Sequence, residues 1–226
     1  MALLAQRGHE LTIATMSPGD CGSADLGPEE IAAVRRAEAA AAAERIGAKY
    51  ICVELRDLAI FNDDSSRRKV VEVLRRVRPE IILTSAPSDY LCDHEAASIL
   101  VRDACFAAPA PNYDTRSTHS ATVLDAIPHL YFMDPIEGLD REGRAVSPDF
   151  LVDVTPFFET KRDMLACHAS QREWLRHHHG TDDYLLQMER WTKLRGGQLG
   201  VEYAEGFRQY RGHPYPTSPM LQELVG

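Results

Sequence analysis

The chain has 226 residues, 44% of them hydrophobic, and a formal net charge of −9. The length suits one large domain or two small ones, and the acidic charge argues against binding to nucleic acid, which needs clustered Lys and Arg. No apolar run reaches about 18 residues, so we expect no membrane span, and residues 1–5 are too short for a signal-peptide apolar region. The five cysteines are odd in number and lack a Cys-x-x-Cys spacing, which favours a reduced, cytoplasmic protein.

The first two-thirds of the chain alternates segments typical of strands and helices. Pro28 near the start and Gly47 past the end bound one helix, and Pro79 stops the next. This alternation predicts a mostly parallel sheet with helices on both faces. The predicted strands are residues 11–15, 50–55 and 81–84, and the predicted helices are 28–46, 65–77 and 95–106.

The two ends of the chain have different patterns. Residues 1–7 read as the back part of an amphipathic helix with no N-cap residue before it, so the chain looks as if it begins inside its first βαβ unit. After a Pro-containing loop at 107–120, the pattern predicts strands at 129–133 and 150–154. From residue 156 onward it becomes helical.

The polar string from Asp89 to Glu95 is the most informative part of the sequence. It follows a predicted buried strand and leads into a helix, and the carboxyl ends of parallel strands are where ligands bind in such sheets. We expect a ligand pocket there, lined by Asp20, residues 89–94 and His168.

Simpler interpretations remain open for several polar residues of the chain. His94 could be a helix N-terminal residue with Asp93 as its N-cap, and Asp20 a turn residue. Arg35 could be a solvated helix residue, and His168 a packing histidine. The run His177-His178-His179 points in different directions on a helix, so we read it as a solvated face.

Four blocks along the chain share the pattern of one family. They are residues 4–13 with 17–20; the Arg-x-x-Glu helix at 35–38 ahead of 46–48; Asp89-Tyr90-Leu91-Cys92-Asp93-His94; and, near the C-terminus, residues 167–171 with 203–207. In this order and spacing they resemble the LmbE/PIG-L family of zinc-dependent N-deacetylases.

The resemblance implies a single domain over residues 1–226, of three-layer Rossmann-like α/β type with a helical C-terminal part, apparently lacking its first strand. It implies zinc-assisted hydrolysis of an N-acetyl group on a small-molecule amino sugar or sugar-like conjugate, by a homo-oligomer. Zinc activates water in such reactions, and a carboxylate moves the proton. The implied roles are metal ligand for His94, catalytic for Asp93 and His168, and substrate-binding for Arg35, Asp20 and Asp89.

Two departures from the family pattern bear on activity. The family's His-Pro-Asp-Asp motif is absent, and Leu91 and Cys92 replace the usual His and Pro of the second motif. His94 is then the one remaining matched ligand, whereas catalytic zinc takes three protein ligands. We expect zinc binding to be weak or absent and activity impaired. Cys92 could act as a substitute soft ligand, although a free buried cysteine is commoner.

Three explanations compete for this combination of features. A truncated active enzyme is favoured, because a helix without its feeding strand is a poor start for an evolved chain. A non-catalytic relative that binds a sugar-like ligand or a partner chain is the alternative. A nucleotide-binding Rossmann protein is disfavoured, because no Gly-x-Gly-x-x-Gly loop follows any predicted strand.

Overall fold

The computed structural model describes the backbone of residues 1–179 and 184–226 and the side chains of 1–176 and 184–226. The side chains of the predicted histidine face at 177–179 therefore lie outside the described residues. The helices and strands follow in chain order as α1 (Ala2–Gln6), β1 (Thr12–Thr15), α2 (Pro28–Glu44), β2 (Lys49–Cys52), α3 (Asp64–Val77), β3 (Ile81–Thr84), α4 (Cys92–Ala107), β4 (His129–Met133), β5 (Phe150–Asp153), α5 (Phe158–Ala166), α6 (Ala169–His179), α7 (Tyr184–Leu199), β6 (Ala204–Gln209) and α8 (Met220–Val225).

The strands form two sheets in the described part of the chain. β1 pairs in parallel with β2, and a four-stranded sheet has the order β3-β4-β6-β5. In that sheet β3 and β4 are parallel, and β6 is antiparallel to β4. The predicted α/β class with helices between parallel strands is confirmed. Among the described residues, no helix has the length and apolarity that crossing a lipid bilayer requires.

The chain divides into two compact units. Unit 1 comprises residues 1–58, 151–205 and 225, and unit 2 comprises 59–150, 206–224 and 226. In unit 1, the small alanine side chains of α2 let that helix pack closely against β2, α5 and α6. In unit 2, α4 packs on α3 and β3, and Leu100, Leu130 and Tyr131 are fully buried. A single functional domain over 1–226 stays a prediction.

Local sequence explains where α3 begins and ends. The Asp63 side chain accepts a hydrogen bond from Ser66 N at 2.7 Å, which satisfies one of the free amides of the first turn. At the other end, Arg78 adopts a left-handed conformation and Pro79 follows it, so the helix cannot continue. β3 starts two residues later.

β2 ends at Cys52, three residues before its predicted end at 55, and β6 and α4 also differ from the predictions. The pattern from residue 156 onward predicts helix, and Ala204, Glu205 and Gln209 are good helix formers, but β6 forms a strand between β4 and β5. A β-carbon at Gly206 would collide with the Asp134 carboxylate, so this close approach accounts for the glycine. The third difference is α4, which begins at Cys92 rather than at the predicted residue 95.

Candidate functional site

The junction between β3 and α4 in unit 2 holds the pair Asp89 and His94. His94 Nδ1 lies 2.9 Å from Asp89 Oδ1. Because an ionised carboxylate can only accept, the neutral form of this imidazole has its proton on Nδ1 and its lone pair on Nε2. The Asp89 side chain is 4% exposed, whereas that of His94 is 35% exposed. Tyr90 packs edge-on against the imidazole, with ring centres 5.5 Å apart.

Asp93 lies in the first turn of α4 and is buried. The N-cap position is Leu91, so the interpretation of Asp93 as the N-cap is wrong. Asp93 Oδ1 instead lies 3.4 Å from Ile60 N, a backbone group. Cys92 is exposed rather than buried, and its Sγ is 3.8 Å from Asp93 Oδ1.

A second polar cluster lies in unit 1, where loops follow β1 and β2. Asp57 N donates to Asp20 Oδ1 at 2.8 Å, and Cys21 N lies 3.4 Å from Asp57 Oδ2. The side-chain donor atoms of these three residues lie within 4.8 Å of one another. This is the one group of three acidic, cysteine or histidine donors so arranged in the described residues.

Arg35 of α2 holds the loop that carries Asp20. Its Nη1 donates to Gly19 O at 3.0 Å and its Nη2 to Gly22 O at 2.8 Å. Gly19 has a positive φ of 70°, and the arginine fills the space that a β-carbon there would need. Burial lowers the pKa of Arg35, and the charges of Asp57 and Glu38 act in the opposite direction. The guanidinium therefore shapes the Asp20 loop.

His168 lies between α5 and α6 in unit 1. Burial lowers the pKa of its imidazole; the nearby Glu38 carboxylate raises it, and Arg35 lowers it further. Glu38 also accepts hydrogen bonds from Ser170 N at 2.8 Å and from Ser170 Oγ at 2.7 Å. These two bonds attach the start of α6 to α2, which fixes the backbone beside His168.

The predicted site residues fall into two groups. Unit 1 contains Asp20, Arg35 and His168, and unit 2 contains Asp89, Asp93 and His94. Within each unit the structure brings the members close to polar partners, and a common pocket for both groups stays a prediction.

Two partners in unit 1 were not among the predicted site residues. Glu38 could have been found from its spacing, because positions i and i+3 share one helix face with Arg35. Asp57 could have been found because it follows the carboxyl end of β2.

Comparisons with known proteins find a family model that matches the N-terminal part of the chain. Residues 1–105 match the family model described as PIG-L, GlcNAc-PI de-N-acetylase. A 4-oxalmesaconate hydratase from Pseudomonas putida is 27% identical over 179 residues, covering 76% of this chain. The match spans 66% of that relative's length, slightly under two thirds.

Two solved structures have a similar fold. A crystal structure of GalB, the 4-carboxy-2-hydroxymuconate hydratase from Pseudomonas putida KT2440, superposes with a TM-score of 0.73 at 24% identity, covering 96% of this chain and 90% of that one. The N,N'-diacetylchitobiose deacetylase from Pyrococcus horikoshii gives a TM-score of 0.74 at 21% identity, covering 97% of this chain and 80% of that one. At these identities the likeness establishes the fold alone.

Proposed function

We propose that this chain, which carries a PIG-L (LmbE-like) family domain over residues 1–105, is a hydrolase of the zinc-dependent N-deacetylase type. Its proposed substrate is a small amino sugar or sugar-like conjugate that bears an N-acetyl group. The observation that carries the proposal is the Asp89–His94 pair at the carboxyl end of β3, where α/β sheets bind ligands. An imidazole that binds a metal or moves a proton commonly donates a hydrogen bond from Nδ1 to a carboxylate, which fixes the orientation of the ring.

The residues of this chain do not fit a tightly held catalytic zinc at His94. Such a site takes three protein ligands and a water molecule. In the described part of the chain, His94 belongs to no group of three clustered donors, and its Nδ1 is already bonded to Asp89. We therefore propose that the activity of the sequence as it stands is impaired.

The side chains themselves support narrower roles. Because Asp89 holds the proton on Nδ1, His94 Nε2 has a free lone pair that can bind a cation or accept a proton from water. His168, whose pKa is lowered by burial, is neutral near pH 7 and can also accept a proton. We propose that Asp20 and Arg35 contact the substrate. The hydrogen bond from Arg35 to Gly19 O already orders the loop that carries Asp20.

Hydration of an unsaturated carboxylate is the second candidate function. It is favoured by the 27% identity to the Pseudomonas putida hydratase. Both reactions add water to an electrophilic carbon, so the same imidazole can serve either one. They differ in product, because only deacetylation releases acetate and a free amine.

The test is to incubate the purified chain, with and without added zinc, with N-acetylglucosamine conjugates and with 4-oxalmesaconate. Acetate release and loss of the conjugated chromophore are measured in parallel. Any activity should fall at least tenfold in His94→Ala and persist in His119→Ala, which removes an exposed histidine. Hydration without acetate release would favour the second candidate. Activity that survives in His94→Ala would contradict both.

A further inference from the structure

A hairpin turn in unit 2 places an arginine against the loop that leads into α4. The turn spans residues 139–145, and Asp140 N donates to Arg144 O at 2.9 Å. The Asp140 carboxylate also accepts from Arg144 N at 2.8 Å. These bonds fix the backbone at Arg141, whose own N donates to Ser88 Oγ at 3.2 Å. The arginine is thus held in place by its main chain.

A continuous series of hydrogen bonds runs from this arginine to the imidazole. Arg141 Nε donates to Glu95 Oε1 at 2.9 Å, and its Nη2 donates to Glu95 Oε2. Glu95 Oε1 accepts a second bond, from Asp89 N, at 2.9 Å. Asp89 Oδ1 in turn accepts from His94 Nδ1 at 2.9 Å. Each member therefore orients the next.

Charge explains why Arg141 is needed in this series. The side chains of Glu95 and Asp89 are 13% and 4% exposed, so both carboxylates are poorly solvated, and the bond from Asp89 N to Glu95 Oε1 joins the two residues. A buried carboxylate is tolerated only when it is paired and hydrogen-bonded. The planar guanidinium binds both oxygens of Glu95, which neutralises the charge and fixes Oε1 toward Asp89 N.

We infer that Arg141 is a positioning residue, which acts through Glu95 and Asp89 to keep the proton of His94 on Nδ1 and the lone pair on Nε2. The importance of this tautomer for catalysis rests on the proposed function. The presence of the tautomer is independent of that function. Without the guanidinium, Glu95 is free to turn toward water, and the Asp89 amide loses a fixed acceptor. His94 should then adopt the mixture of tautomers of an unrestrained imidazole.

The experiment measures the ring nitrogens of His94 by long-range proton–nitrogen correlation on a chain labelled at histidine, without metal or substrate. His94→Gln identifies the signal. We expect the Nδ1–H form to predominate in the wild type and to become a minor form in Arg141→Ala. Arg141→Lys should be intermediate, because lysine keeps the charge but lacks the fork. Hydrogen exchange of the Asp89 amide should also rise about tenfold in Arg141→Ala, the equivalent of one lost hydrogen bond.

Arg144→Ala is the matched control, since it removes an exposed arginine from the same hairpin. It should leave both readouts unchanged, as should the signal of His129, a buried histidine of the same unit. If Arg141→Ala does not fold, Glu95→Ala carries the same test. An unchanged His94 tautomer in a folded Arg141→Ala or Glu95→Ala variant would overturn the inference, and so would an equal change in Arg144→Ala. Because no substrate is present, a failure of the proposed deacetylation would not affect the result.

Discussion

His94 has one nitrogen bonded to Asp89 and one free, and that arrangement limits how it can bind a metal. A single imidazole without two further ligands does not hold zinc tightly. We predict that the purified chain retains far less than one zinc per chain after dialysis against a mild chelator, as measured by elemental analysis. The reference is the same chain before dialysis.

A nearly full zinc content would contradict this prediction and point to other ligands. The Asp20, Cys21 and Asp57 cluster is then the first candidate. Cys21→Ser would lower the zinc content in that case, whereas Cys167→Ser, which lies outside the cluster, would not.

The pKa of His168 leads to a prediction about acid stability. Burial lowers this pKa in the folded state, so the unfolded chain takes up the proton first as pH falls. The neutral histidine stabilises the fold fully above its unfolded pKa of about 6.5, and this contribution is lost as pH falls toward the lower folded value. The free energy of unfolding should therefore decrease less in His168→Gln than in the wild type between about pH 7 and pH 5.

Urea unfolding at several pH values measures this difference. His119→Gln is the matched control, because it removes an imidazole from an exposed position, and it should follow the wild type across the same range. The prediction would be contradicted if the difference in the free energy of unfolding between the wild type and His168→Gln did not change with pH.

At the scale of elements, Arg75 of α3 holds the loop that follows α4. Its guanidinium donates to Ala108 O at 3.0 Å, Ala110 O at 2.9 Å and Tyr113 O at 2.9 Å, and the residue is 4% exposed. Arg75→Ala leaves these carbonyls without their donor and should lower the free energy of unfolding by about 2–4 kcal/mol.

Denaturant titration checks this value. Lys69→Ala, at an exposed position of the same helix, should change the free energy of unfolding by less than about 0.5 kcal/mol. A similarly small effect for Arg75→Ala would mean that the loop does not depend on the arginine.

Local signals predicted some elements better than others. β3 matches the predicted residues 81–84, because an apolar run bounded by Pro79 and a polar string leaves few alternatives. β6 was missed because its helix-forming residues are overridden by pairing with a distant strand.

In the candidate site, too, local sequence predicts some features and not others. The position of His94 after a strand could be predicted, but its bond to Asp89 could not, because the way the chain turns from the loop into α4 at Cys92 sets the distance between them. The Arg141–Glu95 contact joins residues 46 positions apart, and such a pairing has no local sequence signal.

At the scale of the whole molecule, β1 and β3 are among the strands that have an unpaired edge in the described part of the chain. Leu11 O accepts from Lys49 N, and Thr15 O accepts from Val53 N just after β2. Because alternate residues of a parallel strand face the same neighbour, the backbone groups of Thr12 and Ala14 point away from β2. In the other sheet, Glu80 O accepts from His129 N, which directs the backbone groups of Ile81 and Leu83 to the free edge. Such edges recruit strands from other chains.

We therefore predict that the chain self-associates through the β1 edge, in line with the expected homo-oligomer. Ala14 is exposed, and a lysine there would introduce a charge that opposes strand pairing without touching the ladder to β2. Ala14→Lys should weaken association about tenfold, since about 1.4 kcal/mol corresponds to one or two lost backbone hydrogen bonds. Ala40→Lys makes the same change on the exposed face of α2 and should associate as the wild type does. Sedimentation velocity over a wide concentration range measures the association of the wild type and of both variants. If the wild-type chain stays monomeric throughout, water satisfies the backbone groups of the β1 edge and the prediction is wrong.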